Sequence, residues 1–243
     1  MKAIYLHSLS KFLRSPYRML SLALFVFILH LFLWVIPSSS VLAYGFADLS
    51  LLFSTVPFVL MIFIPSLFMN FVVEDFESGK SDWLFSKPLS TIEYWVGHFL
   101  SGLTIVLIFL LLSSTSYYSI HSLSSDIGVV DHSQIISSYF GMFLLAVVFA
   151  SISTFSGAVS KNQAGAFLLS VLLCYSLFAI PSLFSELAQF SGNGDYLLRY
   201  LSLNTHLEIL SRGIFELRTL IYFISLSVLF SFFTVINIKK KLM

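Results

Sequence analysis

The chain has 243 residues, of which 58% are hydrophobic and 10% are charged, and its formal net charge is +1. A water-soluble domain of this length cannot bury so much apolar surface in one core, so the composition excludes a soluble globular protein. The near-zero net charge gives no indication of a nucleic-acid partner. We therefore expect the lipid bilayer to solvate most of the chain.

The N-terminal segment is amphipathic. On a helical wheel of residues 2–14, the apolar side chains gather on one face and the polar ones on the other. This predicts an interfacial helix within residues 1–18 that lies along the membrane surface, with a solvated basic N-terminus as the alternative. Ser15-Pro16 should end the helix, because proline lacks a backbone N–H. The apolar face consists of Tyr5, Leu6, Leu9, Phe12 and Leu13.

Long apolar runs follow, each sufficient for the ~20 helical residues that cross ~30 Å of hydrocarbon. Unbroken runs of this length exclude the alternating pattern of a membrane β-barrel and predict helices. We expect an all-α membrane protein with six transmembrane helices in a single domain, residues 1–243. A cleaved signal peptide is the alternative for the first run, which is longer than usual for such a signal. The runs are Met19–Pro37, Leu49–Val73, Tyr94–Ile120, Ser133–Val159, Gln163–Ser185 and Thr219–Ile238.

Lysine and arginine are unevenly distributed between the segments that connect these runs. If the N-terminus is inside, the only basic residues outside are Arg199, Arg212 and Arg218. Cytoplasmic segments of membrane proteins carry an excess of basic residues, so both termini are predicted to be cytoplasmic. Residues 38–48 and 121–132 contain no Lys or Arg, as expected for translocated loops.

A dense polar island, residues 74–82, separates the second and third runs. Gly79-Lys80-Ser81 matches the end of a phosphate-binding loop, but Glu74 stands where that motif has its first glycine. Carboxylates at this place would repel phosphate groups, and no strand precedes the motif. The chain is therefore not expected to bind nucleotide, and no cofactor is predicted.

The same island predicts a cytoplasmic coupling segment over residues 74–93. Gly79 should end the second membrane helix, and the capping box Ser90-Thr91-Ile92-Glu93 should begin the third. A short transverse helix between them would present apolar side chains with acidic flanks. Such an element can transmit a push from a soluble partner to two membrane helices. The candidate coupling residues are Glu74, Asp75, Glu77, Asp82, Trp83, Leu84 and Phe85.

Small residues recur at every fourth position of the fourth run, which predicts close helix packing within the subunit. Pro57 and Pro65 should kink the second helix. Cys174 is single and the histidines are scattered without zinc-ligand spacing, so neither a disulfide nor a metal site is predicted. We interpret the histidines as interfacial or singly bonded. The packing positions are Ala146, Ala150, Thr154 and Ala158.

The last external segment is predicted over residues 186–218. Thr205-His206-Leu207-Glu208 has the pattern of a capping box, and Glu208 precedes Arg212 by the spacing of a helical ion pair. We expect a short helix from near Thr205, in which His206, Glu208 and Arg212 fix the geometry of the outer face. An ordinary surface helix is the alternative.

One stretch within Phe68 to Gly102 carries a family resemblance: E-D-F-E-S-G-K-S-D-W-L-F-S-K-P-L-S-T-I-E-Y-W-V-G-H-F-L-S-G. It resembles the hallmark region of ABC-2 type transporter permeases, in which an acidic turn precedes a coupling helix and a lysine–proline pair leads into the third helix. His98 stands where that region usually has lysine. With residues 45–49, 160–163 and 206–223, the chain looks like the permease subunit of the gliding-motility ABC transporter of Bacteroidota.

The resemblance implies a six-helix half-transporter of the inner membrane, similar to type V exporters, that is not itself an enzyme. It implies two partners, a cytoplasmic ATP-binding cassette ATPase and a second permease with a large periplasmic domain. It also implies that the external segment is a partly re-entrant, gate-like helix. The function would be export or transmembrane mechanical work, in gliding motility. Export of a lipid, polysaccharide or small amphipath is the alternative.

Two other classes fit the residues less well. An intramembrane serine protease needs a histidine at the depth of its nucleophile, and Ser153, Ser156 and Ser160 have none nearby in sequence. An ion-coupled secondary transporter or channel usually keeps ionisable groups inside its spans. The apolar runs contain no Asp, Glu, Lys or Arg.

Overall fold

The computed structural model describes residues 2–35, 50–77, 79, 89–123, 132–185 and 198–242, and these residues form helices and short connections without any strand. The helices are α1 (Lys2–Arg14), α2 (Pro16–Trp34), α3 (Ser50–Glu77), α4 (Thr91–Ser113), α5 (Thr115–Leu123), α6 (His132–Val159), α7 (Gln163–Phe178), α8 (Ile180–Ser185), α9 (Leu203–Ser211) and α10 (Leu217–Leu242).

Five helical stretches among the described residues are long and apolar enough to cross a membrane. A sixth is present if α1 and α2, which are bent by 71° relative to each other, count together as one span. The prediction of an all-α, multi-pass membrane protein is therefore confirmed. The five stretches are Leu52–Phe76, Thr91–Ser119, His132–Val159, Gln163–Ser185 and Leu217–Leu242.

The break between α1 and α2 lies where the sequence places it. α1 ends at Arg14, and Pro16 occupies the first position of α2, where its missing N–H is not needed. The apolar face of α1, however, is divided. Phe12 is 2% exposed and belongs to the main core, whereas Leu6 is 52% exposed. α1 packs chiefly against α4, so it is docked on the bundle, a contact that its own wheel could not predict.

α6 is the central helix of the bundle. It packs against α3, α4, α7, α9 and α10, and side chains around its whole circumference are buried. The four predicted packing positions Ala146, Ala150, Thr154 and Ala158 are all buried. Thr154 also accepts a hydrogen bond from Trp95 Nε1 of α4, at 3.4 Å. Small side chains on α6 thus allow several helices to approach it at once.

α10 lies at the periphery of the bundle. Large apolar side chains on one face of this helix remain exposed along most of its length. They recur every three or four residues, which is the spacing of one helix face. Such a face suits lipid or a neighbouring membrane subunit. Its exposed residues are Leu217, Ile221, Ile224, Val228 and Phe232.

The two helix ends that flank residues 80–88 lie where the sequence predicts them. α3 ends at Glu77, and Gly79 has a φ of +67°, the left-handed conformation that follows many helices. The capping box at the start of α4 is confirmed: Ser90 Oγ accepts from the Glu93 N–H at 3.2 Å, and the Glu93 carboxylate accepts from the Ser90 N–H at 3.2 Å.

Gly102 provides a test of how closely α3 and α4 pack. A Cβ at this position would overlap the ring of Phe68 and lie 2.9 Å from Phe71, and Phe68 is fully buried. We expect Gly102→Ala to destabilise the fold by about 1–3 kcal/mol, because the rings cannot move without displacing the core. A Cβ at Gly157 on α6 would lie 3.4 Å from its nearest neighbour, so Gly157→Ala is the matched control.

Thermal unfolding of both purified variants in detergent distinguishes the two positions. We expect a lower melting temperature for Gly102→Ala. For Gly157→Ala we expect an unchanged or slightly higher melting temperature, because alanine has a higher helix propensity than glycine. Equal melting temperatures for the two variants would contradict the close approach of α3 and α4.

Candidate functional site

The end of the bundle at which α3 finishes and α4 begins, here called the Glu74 end, contains every ion pair found among the described residues. Glu74 lies in the last turn of α3. Its carboxylate accepts from Lys11 Nζ at 2.7 Å and from Arg18 Nη2 at 3.0 Å. Lys11 precedes the bend between α1 and α2, and Arg18 follows it. One carboxylate therefore holds both arms of the bend against α3.

Asp75 is the next residue and is 8% exposed. Its Oδ2 accepts from Tyr94 Oη at 2.8 Å and lies 3.5 Å from His98 Nε2. The other ring nitrogen, His98 Nδ1, lies 2.9 Å from Ser8 Oγ. A buried carboxylate destabilises the folded state unless it is paired and hydrogen-bonded. Tyr94 and His98 are therefore held against Asp75. These contacts join α3, α4 and α1 in one polar network.

Ser8, His98 and Asp75 are the residue types of a hydrolytic triad, but their arrangement does not suit catalysis. Ser8 is 3% exposed, so a substrate carbonyl cannot reach its hydroxyl. The Asp75–His98 distance of 3.5 Å is also long for the orienting bond of a triad. The network is therefore suited to holding helices together.

Apolar side chains pack beside this network in a second cluster, separate from the main core. Val72, Tyr94, Ala158 and Ile238 are buried there, with Ile4, Phe76 and Trp95 packed around them. The cluster, here called the Glu74-end cluster, draws residues from α1, α3, α4, α6 and α10. The last turn of α3 is thus fastened by polar bonds on one side and apolar packing on the other.

The end of α10 contributes one further contact at this site. Lys241 Nζ donates to the Ser160 carbonyl at 2.9 Å and lies 5.3 Å from the centre of the Phe76 ring. A cation at a helix C-terminus is favourable, because the last carbonyls carry partial negative charge. Lys241 therefore joins three elements: the end of α10, the turn after α6 and the last turn of α3.

The predicted coupling residues fall into two groups. The structure places Glu74 and Asp75 in the network described above. Glu77 is the last residue of α3, but its side chain lies outside the described residues, as do Asp82, Trp83, Leu84 and Phe85. The predicted transverse helix therefore stays a prediction. The described residues show where the chain leaves and re-enters the bundle: Asp75 and Tyr94, 19 positions apart, are directly hydrogen-bonded.

The opposite end of the bundle, here called the His206 end, is held by hydrogen bonds, and the described residues form no ion pair there. His206 is 3% exposed. Its Nδ1 lies 3.1 Å from Thr219 Oγ1 and its Nε2 lies 2.9 Å from the Tyr200 carbonyl oxygen. The imidazole stacks on Tyr222 at 4.5 Å with an interplanar angle of 27°. His206 thus ties α9 to the start of α10.

α9 is also bound to the helices beneath it. Ser137 of α6 donates to the Leu210 carbonyl at 2.5 Å, and Ser202 donates to the Phe178 carbonyl at 2.9 Å. A Cβ at Gly141 of α6 would lie 3.1 Å from Leu210 Cβ, so α9 approaches α6 closely. This short helix is anchored to three neighbours.

Two details predicted for this segment are wrong. α9 begins at Leu203 with Ser202 as its N-cap, so Thr205 lies inside the helix and cannot be the first residue of a capping box. Glu208 accepts from Asn204 Nδ2 at 2.9 Å, and no ion pair joins it to Arg212 in the described part of the chain. Arg212 is the C-cap residue of α9. The helix starts earlier because Ser202 is fixed by Phe178.

Several of the histidines, which were interpreted as interfacial or singly bonded, make more than one polar contact. His98 and His206 each use both ring nitrogens, and His30 does so as well: its Nδ1 lies 2.8 Å from the Val26 carbonyl and its Nε2 3.1 Å from Ser116 Oγ. His98, Lys11 and Arg18 were not chosen as site residues. The available signal was Glu74-Asp75 at the end of an apolar helix, since such carboxylates require cationic partners.

An apolar groove of about 560 Å³ lies between α2 and α3. Apart from the hydroxyls of Ser54 and Thr55, its lining is apolar. Within the described residues no group of three or more His, Cys, Asp or Glu side chains could hold a metal ion. The apolar lining consists of Phe25, Ile28, Phe32, Phe58, Val59 and Ile62.

Residues 36–239 match the sequence model of a family described as ABC-2 family transporter protein. The match begins after α2 and extends into the last turns of α10, so it includes Glu74, Asp75 and the elements around them. No curated protein matches the chain.

The contacts of Glu74 can be tested by double-mutant cycles. Glu74→Gln combined with Lys11→Met, and separately with Arg18→Met, should each give a coupling energy of about 0.5–1 kcal/mol, since the three side chains are only partly exposed. Arg14 is exposed and has no carboxylate partner among the described residues, so Arg14→Met is the matched control. Its coupling to Glu74→Gln should be near zero.

The measurement is the free energy of unfolding of the purified chain in detergent. Additive effects of Glu74→Gln with both Lys11→Met and Arg18→Met, indistinguishable from the Arg14 control, would mean that the carboxylate does not hold the bend.

Proposed function

Since the chain belongs to the ABC-2 transporter family, we propose that this membrane subunit couples ATP hydrolysis in a separate ATPase chain to movement of its helices. The observation that carries the proposal is the Asp75–Tyr94 hydrogen bond of 2.8 Å, which joins the two helices that flank the coupling segment. A force applied to residues 78–88 acts on both helices at the same place. Glu74 and His98 pass that force to α1 and α2.

The Glu74 end faces the cytoplasm in this proposal, with both termini on the same side of a cell inner membrane. The distribution of Lys and Arg supports this orientation, because the polar island, Lys161 and the C-terminal lysines then share one compartment. The amphipathic α1, with exposed Leu6 and Leu13, rests at the membrane surface on that side. ATP is therefore available to a partner bound there.

A second permease subunit completes the transporter. The exposed apolar face of α10 and the exposed Leu168 and Leu172 of α7 support a membrane-embedded partner or lipid at these positions. The proposal that this second permease has a large periplasmic domain is supported by the sequence resemblance alone. The same resemblance supports a role in gliding motility, in which ATP-driven motion acts on partners outside the membrane.

At the His206 end we assign α9 as a gate-like element. His206 anchors it to α10, and Arg212 and Gly213 form its C-terminal turn, where Gly213 has a φ of +82°. Glu208 keeps the first turn in place through Asn204. Because α9 is hydrogen-bonded to α6 and α10, a movement of those two helices also moves α9.

Export of an amphipathic substrate is the second candidate function. The observation that favours it is the apolar groove of about 560 Å³ between α2 and α3, a volume typical of ligand sites. The hydroxyls of Ser54 and Thr55 give this groove a polar element that the polar part of a lipid-like molecule could contact.

The coupling function is tested by pull-down and ATPase turnover. Trp83→Ala combined with Phe85→Ala should weaken binding of the ATPase and lower its stimulated turnover by about tenfold or more, because buried aromatic anchors dominate interface energies. Phe215, 58% exposed near the His206 end, is the matched control, and Phe215→Ala should leave both quantities unchanged. The isolated chain should bind no labelled ATP.

Normal ATPase binding and turnover in the Trp83/Phe85 variant would remove the coupling segment from the mechanism. Saturable ATP binding by the isolated chain, lost in Lys80→Ala, would overturn the assignment of nucleotide binding to a separate chain.

A further inference from the structure

A small recess and the apolar groove follow each other along α2 and α3. The recess, of about 30 Å³, lies next to the bend between α1 and α2, and the groove of about 560 Å³ begins one helical turn further along. Phe25 of the groove and Phe63 of the recess are in contact, with ring centroids 5.0 Å apart. Recess and groove, here called the α2–α3 furrow, have polar side chains at the Glu74 end and an apolar lining beyond it. The recess is lined by Phe12, Arg18, Ser21, Phe63, Ser66 and Leu67.

The furrow opens toward the outside of the bundle. Phe32, Phe58 and Ile62 line the groove and are exposed although they are apolar. Leu20 and Leu24 on the neighbouring face of α2 are exposed as well. An exposed apolar surface of this extent marks a place where lipid or another molecule is bound.

The bend at the polar end of the furrow carries an excess of positive charge. Lys11 and Arg18 share the single carboxylate of Glu74. Arg14, the last residue of α1, is exposed and lies within ion-pair distance of no carboxylate that the structure describes. One anion therefore meets the three cations of the bend, and a further anion can be accommodated there.

The two other described carboxylates at this end bind to different groups. Asp75 is buried and contacts Tyr94 and His98 of α4. Glu93 is exposed at the start of α4, where its carboxylate accepts from the N–H and the Oγ of Ser90. Within the described ranges, neither carboxylate forms an ion pair with a cation of the bend. The excess positive charge at the bend thus remains.

We propose that the α2–α3 furrow binds one anionic phospholipid from the leaflet on the Glu74 side, with the phosphate at Arg14 and Arg18 and one acyl chain in the groove. A guanidinium group has five N–H donors, so Arg18 can bind a phosphate while its Nη2 keeps the bond to Glu74. The inference goes beyond the proposed function, because it requires neither an ATPase nor transport of the lipid. The bound lipid contacts α1, α2 and α3 and stabilises the bend.

The length of the furrow fits an acyl chain of one leaflet. At 1.5 Å per residue, Arg18 and Ile28 are about 15 Å apart along α2. This is half of the ~30 Å hydrocarbon core of a bilayer. A chain whose headgroup lies at Arg18 therefore ends inside the groove. The recess has room for about one water molecule, so the phosphate lies outside it, on the surface of the bend.

Charge complementarity favours a phospholipid over a helix of another subunit as the occupant. A membrane helix in the groove would cover the apolar side chains and leave the cations of the bend without a further anion. Phosphatidylglycerol supplies an apolar chain and a negative charge in one molecule. A basic residue beside a membrane surface raises the affinity for anionic lipid by roughly fivefold.

The test is native mass spectrometry of the full chain, purified in detergent and titrated with palmitoyl-oleoyl phosphatidylglycerol or with phosphatidylcholine that has the same acyl chains. The wild-type chain should bind one phosphatidylglycerol about fivefold or more tightly than phosphatidylcholine. Arg14→Gln should lower the affinity for phosphatidylglycerol about fivefold, and Arg14→Lys should retain most of it. Glycerol 3-phosphate, which has the phosphate without acyl chains, should not compete at the same concentration.

Matched variants separate the headgroup contact from the acyl-chain contact. Lys161→Gln removes an exposed cation from the turn after α6, away from the furrow, and should leave phosphatidylglycerol binding unchanged. Ile62→Trp fills the groove and should lower the affinity for both lipids about fivefold or more, whereas Leu168→Trp, at an exposed position of α7, should not. Melting temperatures without lipid control for folding, and Ile62→Phe is a milder variant.

Several outcomes would overturn the inference. Equal affinity for both lipids, or an equal loss in the Lys161 and Arg14 variants, would mean that charge attracts lipid without a defined site. Unchanged lipid binding by Ile62→Trp would exclude the acyl chain from the groove, and loss of a co-purifying membrane protein in that variant would assign the groove to that protein. Competition by glycerol 3-phosphate would assign the cations to a soluble phosphate. No titration contains an ATPase or nucleotide, so a failure of the coupling function leaves these results unaffected.

Discussion

The buried carboxylate of Asp75 is the constraint around which the Glu74 end is organised. α3 is apolar for most of its length, and its last turn contains the adjacent acids Glu74 and Asp75, which need partners from neighbouring helices. Tyr94 and His98 of α4 meet Asp75, while Lys11 and Arg18 meet Glu74. Removing a partner from a buried charge costs more than forming the pair gains, which keeps these helices together.

The two ends of the bundle are fastened by different chemistry. At the Glu74 end, ion pairs and the Glu74-end cluster fix α1, α3 and α4 to one another. At the His206 end, hydroxyl, carbonyl and imidazole groups fix α9 to α6 and α10. α6 runs between the two ends, and most of its side chains are buried. A movement imposed at one end can therefore reach the other through a single, tightly packed helix.

Much of the fold could be predicted from the sequence, because each prediction rested on local chemistry. The apolar runs, the break at Ser15-Pro16, the end of α3 before Gly79 and the capping box at Ser90 depend only on neighbouring residues. Of the two predictions that failed at α9, one depended on a distant contact and the other on a local alternative partner. Ser202 became the N-cap of α9 while its hydroxyl bonded Phe178, and Glu208 bonded Asn204 in place of Arg212.

The candidate site could be predicted only in part, because several of its residues come from distant positions in the chain. Glu74 and Asp75 are predicted as coupling residues because they belong to the polar island between two apolar runs. Their partners Lys11 and His98 lie 63 and 23 residues away, and no periodicity joins such positions. His98 was noted only as a departure from the lysine that the family resemblance expects. In the structure His98 Nε2 lies 3.5 Å from the Asp75 carboxylate.

The central claim is that α1, α3 and α4 move as one unit at the Glu74 end. Spin labels can be placed at exposed Leu13 of α1, Ile92 of α4 and Leu168 of α7, after replacing buried Cys174 by Ser. Double electron–electron resonance on the complex with the proposed ATPase partner, with and without ATP and vanadate, should leave the Leu13–Ile92 distance unchanged while the Ile92–Leu168 distance changes. A nucleotide-dependent change in the Leu13–Ile92 distance would contradict the claim.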